Sequence, residues 1–202
     1  LHALRVLDEL DQARQATSSL NQRPRGVLKL TVPPAFARHH IVPLLGAFAV
    51  RYPEVHLELT LDEHHVNLIS TGVDLALRIG TLPDSSLKAR KLASEHTLVC
   101  VSAAYAQQHP APDTPQALGP VVRNGNLPNE VFFVAHQHLA PAMQRVAING
   151  PLRINELDAQ LLAVEQGLGV ALLPDWLVTE KLARGELVNW LPDWRVQATQ
   201  VP

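Results

Sequence analysis

The 202-residue chain holds a single cysteine, Cys100. One thiol excludes an internal disulfide and any zinc site built on paired thiolates. Cys100 lies in the apolar, strand-like run "TLVCVS". It therefore reads as a buried, inert thiol, because a reactive one needs an exposed electropositive setting. A surplus of charge is also missing: 17 Lys and Arg stand against 19 Asp and Glu, a formal net charge of -2. The chain lacks the basic footprint of a domain that contacts DNA directly. No uninterrupted apolar run is long enough to cross a bilayer, so no membrane partner is expected. Arg5, Asp8, Glu9 and Asp11 near the N-terminus argue against a secretory leader.

Chemistry-bearing motifs are equally scarce. No G-x-S-x-G elbow, P-loop or G-x-G-x-x-G follows a strand. The glycines of "GLGV" end a helix and enter a strand, the reverse of a dinucleotide-binding turn. Ser85 and Ser86 have Asp84 beside them, but local sequence places no histidine there. The pairs His39-His40, His64-His65 and His136-x-His138 lack the i, i+4 spacing and the further ligand that zinc sites use. No enzyme, no cofactor and no metal is expected.

What is present is alternation. Ala3, Val6, Leu10, Ala13, Thr17 and Leu20 recur at spacings of three and four, the seam of an amphipathic helix over 1–20. That helix either lies on its own domain or pairs with a second chain. The linker "NQRPRG" after it favours pairing, since Pro24 and Gly26 end any helix without a tight turn. "VLKLTV" then reads as a strand and "ARHHIVPLLGAFAVRY" as a helix with Ile41, Leu44, Leu45 and Phe48 on one face and Pro43 in its first turn. "VHLELTL" alternates Val55, Leu57, Leu59 and Leu61 inward against His56, Glu58 and Thr60. "HHVNLIST" is a short helix, and "DLALRI", "LKARKLA" and "TLVCVS" are strands. This order implies βαβ units, a largely parallel sheet and helices on both faces.

In the second half, "PAPDTPQALGP" reads as a surface connection, followed by strands "VVRNG", "EVFFVA" and "MQRVAIN". "NELDAQLLAVEQGLG" is a helix capped by Asn155 and stopped by Gly167 or Gly169. "VALLP" is a buried strand, "DWLVTEKLARG" a helix ending at Gly185, and "ELVNWL" a last strand.

Together, "RGVLKLTVPPAF…IVPLLGAFAVRYPEVHLEL", "GVDLALRIGTLPDSSLKARKL" and "INELDAQLLAVEQGLGVALLPDWLV…GELVNWLPDW" resemble the effector-binding domain of LysR-type transcriptional regulators. The likeness runs from Arg25 to about Trp194, and residues 1–22 resemble that family's linker helix. The resemblance implies an α/β fold of the type 2 periplasmic-binding-protein kind: two α/β subdomains with a ligand cleft between them, preceded by a linker helix. Subdomain I would be 27–98 and subdomain II 99–195. A return to subdomain I would start at 196–202, and its closing strand and helix would lie outside the chain. The winged helix-turn-helix that such regulators carry ahead of the linker is absent, so promoter DNA would be bound only through that missing part. The chain opens on Leu and stops inside what reads as a starting strand, so sequence is expected on both sides.

The resemblance also implies an effector site at the carboxyl ends of the strands, where open α/β sheets hold ligands. On one wall stand Pro34, Ala35, Phe36 and Arg38 at the "PPAFAR" mouth, a helix start with free N–H groups. Arg78 and Ile79 follow the strand "DLAL". On the other wall stand Arg123 and Asn124, Asn155 and Glu156 at a helix start, and Pro174 at the end of "VALLP". Ala35, Phe36 and Ala37 are apolar where the family usually has a small or hydroxyl residue. That argues against a hydroxyl-based carboxylate clamp and for a partly apolar or aromatic effector; the expected partner is a small molecule, a carboxylate or an aromatic. Blander readings stand beside these: Arg38 as a solvated residue, Arg78 paired with Asp74 or Asp84, and Asn155 as a helix cap only. The implied assembly is a homodimer or tetramer, in the cytoplasm. The alternative on the same fold is a solute-binding protein of a transport system.

Overall fold

The computed structural model describes residues 23–63, 72–80, 82, 84–124, 130–135 and 143–197. The expected linker helix, the short helix "HHVNLIST" and most of "VQATQVP" lie outside them. The chain divides into two compact units, Leu1–Leu82 and Pro83–Pro202.

In the first unit, strand β1 (Gly26–Val32) runs between β2 (Val55–Leu61) and β3 (Leu75–Ala76). Both pairings are parallel, with Leu28 opposite Leu57, Leu30 opposite Leu59 and Thr31 opposite Ala76. Side chains alternate across a strand. Leu28, Leu30, Val55, Leu57 and Leu59 are therefore half-buried on one face, while Lys29, His56, Glu58 and Thr60 stand exposed on the other. Leu61, expected inward, is 42% exposed at the strand end. Asp74 fastens the third strand: its Oδ2 accepts from Lys29 N at 2.9 Å, and its own N–H donates to Lys29 O at 3.0 Å.

The helical path after β1 has three parts: α1 (Pro34–Phe36), a π-helical turn (Ala37–Ile41) and α2 (Val42–Arg51). In the wide turn Val42 N–H bonds to Ala37 O, five residues back. Pro43 explains its place. Proline has no N–H, and in a regular α-turn its ring presses on the carbonyl four residues earlier, here that of His39. Ile41, Leu45 and Phe48 are half-buried as the periodicity predicts, but Leu44 is 64% exposed. The helix is apolar nearly all round, and none of α2 is buried.

The second unit is built on one mixed sheet, in the order β7-β6-β11-β4-β9-β5-β8, with β10 also paired to β4. The strands are β4 (Thr97–Ser102), β5 (Val121–Asn124), β6 (Glu130–Ala135), β7 (Met143–Ala147), β8 (Arg153–Ile154), β9 (Val170–Pro174), β10 (Leu187–Asn189) and β11 (Trp194–Gln197). The helices are α3 (Ala103–Gln108), α4 (Leu157–Glu165) and α5 (Asp175–Ala183). Only β5 pairs in parallel, with β8 and β9; the other ladders are antiparallel. The expectation of a largely parallel sheet thus holds for the first unit and fails for the second. Helices α4 and α5 lead into β9 and β10, yet of these two only β9 gains a parallel neighbour, β5.

Alternation along β4 and β9 builds two cores. Val99, Val101, Val170 and Leu172 join Phe133, Val146 and Trp190 on one side. Cys100, Ala171 and Leu173 join Val122, Leu161, Val164 and Val178 on the other. A strand covered on both faces is apolar throughout, which is why "VALLP" reads as a continuous run. The predicted strand "LKARKLA" does not form: residues 88–96 have no regular structure and are exposed.

Candidate functional site

The candidate residues of the first unit gather where β1 and β3 end. Pro33 is extended (ψ 137°), offers no side-chain cap, and accepts Ala37 N–H on its carbonyl at 2.9 Å. The helix opens at Pro34 with Ala35 and Ala37 buried beneath it and Phe36 half-buried. The Phe36 ring lies 4.7 Å from that of His40. Arg38 is exposed on the π-helical turn. Neighbouring His39 and His40 rings are 6.4 Å apart and tilted by 52°. Among the described residues no three His, Cys, Asp or Glu side chains gather as a metal site would need.

Arg78 is held beside this mouth. Its Nη1 donates to Leu77 O at 2.9 Å and its Nη2 to Thr31 Oγ1 at 3.2 Å. Thr31 is 2% exposed and stands two residues before Pro33. Arg78 therefore pairs with neither aspartate considered for it, and Asp74 is committed to Lys29. A guanidinium has five donor hydrogens, so two such bonds orient it without exhausting it. Ile79, half-buried, follows at once.

The candidates of the second unit gather at the ends of β5, β8 and β9. Arg123 lies opposite Arg153 and Asn124 opposite Ile154 in a parallel ladder. Paired residues of parallel strands point to the same face, so the side chains of Arg123 and Arg153 leave the sheet on one side. Asn155 leads out of β8, but the cap of α4 is Glu156, not Asn155. Glu156 is extended (φ -131°, ψ 129°), and its Oε2 accepts Ala159 N–H at 2.8 Å. A carboxylate there also suits the positive end of the helix dipole. Pro174 is buried at the end of β9 and precedes α5 directly.

One residue escaped the sequence reading. Gln160 is fully buried in the first turn of α4; its Nε2 donates to Ile154 O at 3.0 Å, while its Oε1 has no hydrogen-bond partner. The signal was present: Leu157, Gln160, Leu161 and Val164 share the inward stripe of the helix, and one of the four is polar. Burial alone governs Cys100, whose thiol is pushed up to about 12.

Two α/β units with candidate polar residues at the carboxyl ends of their strands make up the type 2 periplasmic-binding-protein architecture. The chain belongs to the LysR substrate binding domain family, whose model matches residues 21–201. It is 34% identical over 195 residues to the probable HTH-type transcriptional regulator LtrA of Klebsiella pneumoniae, which covers 96% of this chain and 62% of that protein. It is 31% identical over 196 residues to the HTH-type transcriptional regulator DmlR of Escherichia coli, covering 95% and 63%. The chain thus spans less than two thirds of the length of either relative. Among solved structures it is similar to the regulatory domain of AphB from Vibrio vulnificus treated with cumene hydroperoxide. That match has 29% identity and a TM-score of 0.74, and covers 85% of this chain and 87% of that one. CrgA, a LysR-type transcriptional regulator from Neisseria meningitidis, matches with 27% identity and a TM-score of 0.74, covering 99% and 67%. These relatives are transcriptional regulators, and a transport protein finds no support in them. Among the described residues no helix is long and apolar enough to cross a membrane.

Proposed function

We propose that this chain is the effector-sensing part of a LysR-type transcription factor, which binds promoter DNA through a winged helix-turn-helix outside the chain. The family match over residues 21–201 carries the reading. The effector is a small molecule with an anionic group and an apolar body. Arg78 in the first unit, and Arg123 with Asn124 and Asn155 in the second, supply the polar contacts. Pro34, Phe36 and Ile79 supply the apolar ones, with buried Ala35 and Pro174 shaping the backbone behind them. Arg38 and Glu156 rim the two strand-end clusters. An effector regulates only through its different affinity for two states of the protein, and the strand ends supply the contacts that differ.

A thermal-shift screen with small aromatic carboxylates, benzoate and phenylacetate among them, tests this. A ligand at a hundredfold its Kd adds about 2.7 kcal/mol and moves Tm by several degrees. Arg123→Ala should abolish the shift, with the variant's own unliganded Tm and far-UV spectrum showing that it still folds. A shift that survives Arg123→Ala and Asn155→Ala alike would remove these residues from the site.

The uncovered apolar side chains of α2 support a homodimer as the working assembly. Val42, Leu44 and Val50 are 46%, 64% and 84% exposed. Val50→Asp should turn a dimer into a monomer in sedimentation velocity, since a buried unpaired charge costs several kcal/mol at an interface. A chain already monomeric at high concentration would refute the assembly.

A further inference from the structure

The described residues between Gly80 and Thr97 form no regular secondary structure, and those from Asp84 to His96 are exposed. This is the segment that leaves the first unit and enters β4. At its last two residues it becomes fastened. His96 O accepts Asp175 N–H at 2.8 Å, and His96 Nδ1 lies 3.2 Å from Asp175 Oδ2. Glu95 Oε2 accepts from Trp176 Nε1 at 2.7 Å.

The receiving end is held by bonds of its own. Asp175 Oδ1 accepts Trp176 N–H at 2.8 Å, so its two carboxylate oxygens are divided between its own helix and the incoming segment. Thr179 Oγ1 donates to Asp175 O at 2.7 Å, closing the first turn of α5. Behind them Leu177 and Val178 are buried in the core. The ladder between β4 and β9 begins only at Thr97 opposite Pro174, so the side-chain pairs lie beyond what the sheet requires.

We propose that Glu95–Trp176 and His96–Asp175 form a latch that welds the end of the connecting segment to α5. Residues 95–96 then move with the second unit, and any bend between the units falls upstream of Glu95. The pairs are side-chain bonds at an exposed edge, so they open more easily than the ladder beside them. The latch does not depend on the identity of an effector.

Limited trypsin digestion of the whole chain tests it. Lys88, Arg90 and Lys91 lie in the exposed segment, and cleavage after Lys91 needs the residues on its carboxyl side, up to the latch, to enter the protease as extended chain. Trp176→Phe removes the indole donor and keeps the ring; Glu95→Ala removes the acceptor from an exposed site. Each should speed cleavage after Lys91 about fivefold, because cleavage in this regime follows the population of the open segment. Cleavage after Arg184, at the far end of α5, should not change, and the double variant should cleave no faster than either single one. Unchanged cleavage after Lys91 in both variants, or an equal rise after Arg184, would overturn the latch.

Discussion

Arg78 Nη2 donates to Thr31 Oγ1 at 3.2 Å, so a charged donor ties the chain after β3 to a buried hydroxyl at the end of β1. The first unit has few buried side chains among its described residues, chiefly Thr31, Val32, Ala35 and Ala37. A bond at that edge therefore holds the mouth's geometry. Thr31→Val keeps the shape and removes the acceptor, at an expected cost of about 1 kcal/mol. Arg78→Ala should cost a similar amount, and the double variant should show a coupling energy of about 1 kcal/mol in urea unfolding. Strict additivity would mean that the bond contributes nothing.

Cys100 makes stability depend on alkaline pH. Burial raises its thiol from 9.0 to about 12 in the folded chain. The contribution is therefore complete below pH 9 and is lost as pH rises toward 12, because the unfolded chain sheds this proton first. Between pH 8 and pH 10.5 the wild type should lose about 2 kcal/mol more than Cys100→Ala. Parallel stability curves for the two proteins would refute this. Thiol reagents should likewise label Cys100 only at the rate of unfolding.

Gln160 offers a test of the unpartnered buried acceptor. Leaving such an atom dry costs about 1–3 kcal/mol, while the Nε2 bond to Ile154 O returns about 1 kcal/mol. Gln160→Leu should thus be neutral or stabilising in denaturant unfolding. Gln160→Ala, which opens a cavity in the same core, should lose at least about 2 kcal/mol. If Gln160→Leu unfolds as easily as the alanine variant, Oε1 has a bound partner such as water.

Gly150 is required by close approach. A Cβ built there would stand 2.0 Å from Val121 O, and Val121 begins the strand that carries Arg123. Backbone cannot yield as a flexible side chain does, so Gly150→Ala should cost at least about 3 kcal/mol. Gly185→Ala is the comparison: nothing lies within 4 Å of its Cβ, and its cost comes only from a φ of 70°. It should cost about 1 kcal/mol. Equal losses in the two variants would show that the crowding at Val121 relaxes.

Local pattern determined the elements it could reach. Period-two alternation placed β2, and the continuous apolar run placed β9 because both its faces are covered. The glycines Gly167 and Gly185, with φ of 76° and 70°, ended α4 and α5 where expected. The quoted motifs, in their order, also marked the family. Tertiary structure decided the rest. "LKARKLA" has the residues of a strand, but a strand exists only with a neighbour to bond to. Asn155 has the chemistry of a cap, but the chain leaves β8 one residue too early, and Glu156 takes the position. Arg78 chose Thr31 over Asp74 because the register of β1 and β3 sets the hydroxyl beside it and commits the carboxylate to Lys29. The fastening of Glu95 to Trp176 joins residues eighty-one positions apart. No local pattern carries such a pairing, because only the folded sheet brings the two segments together.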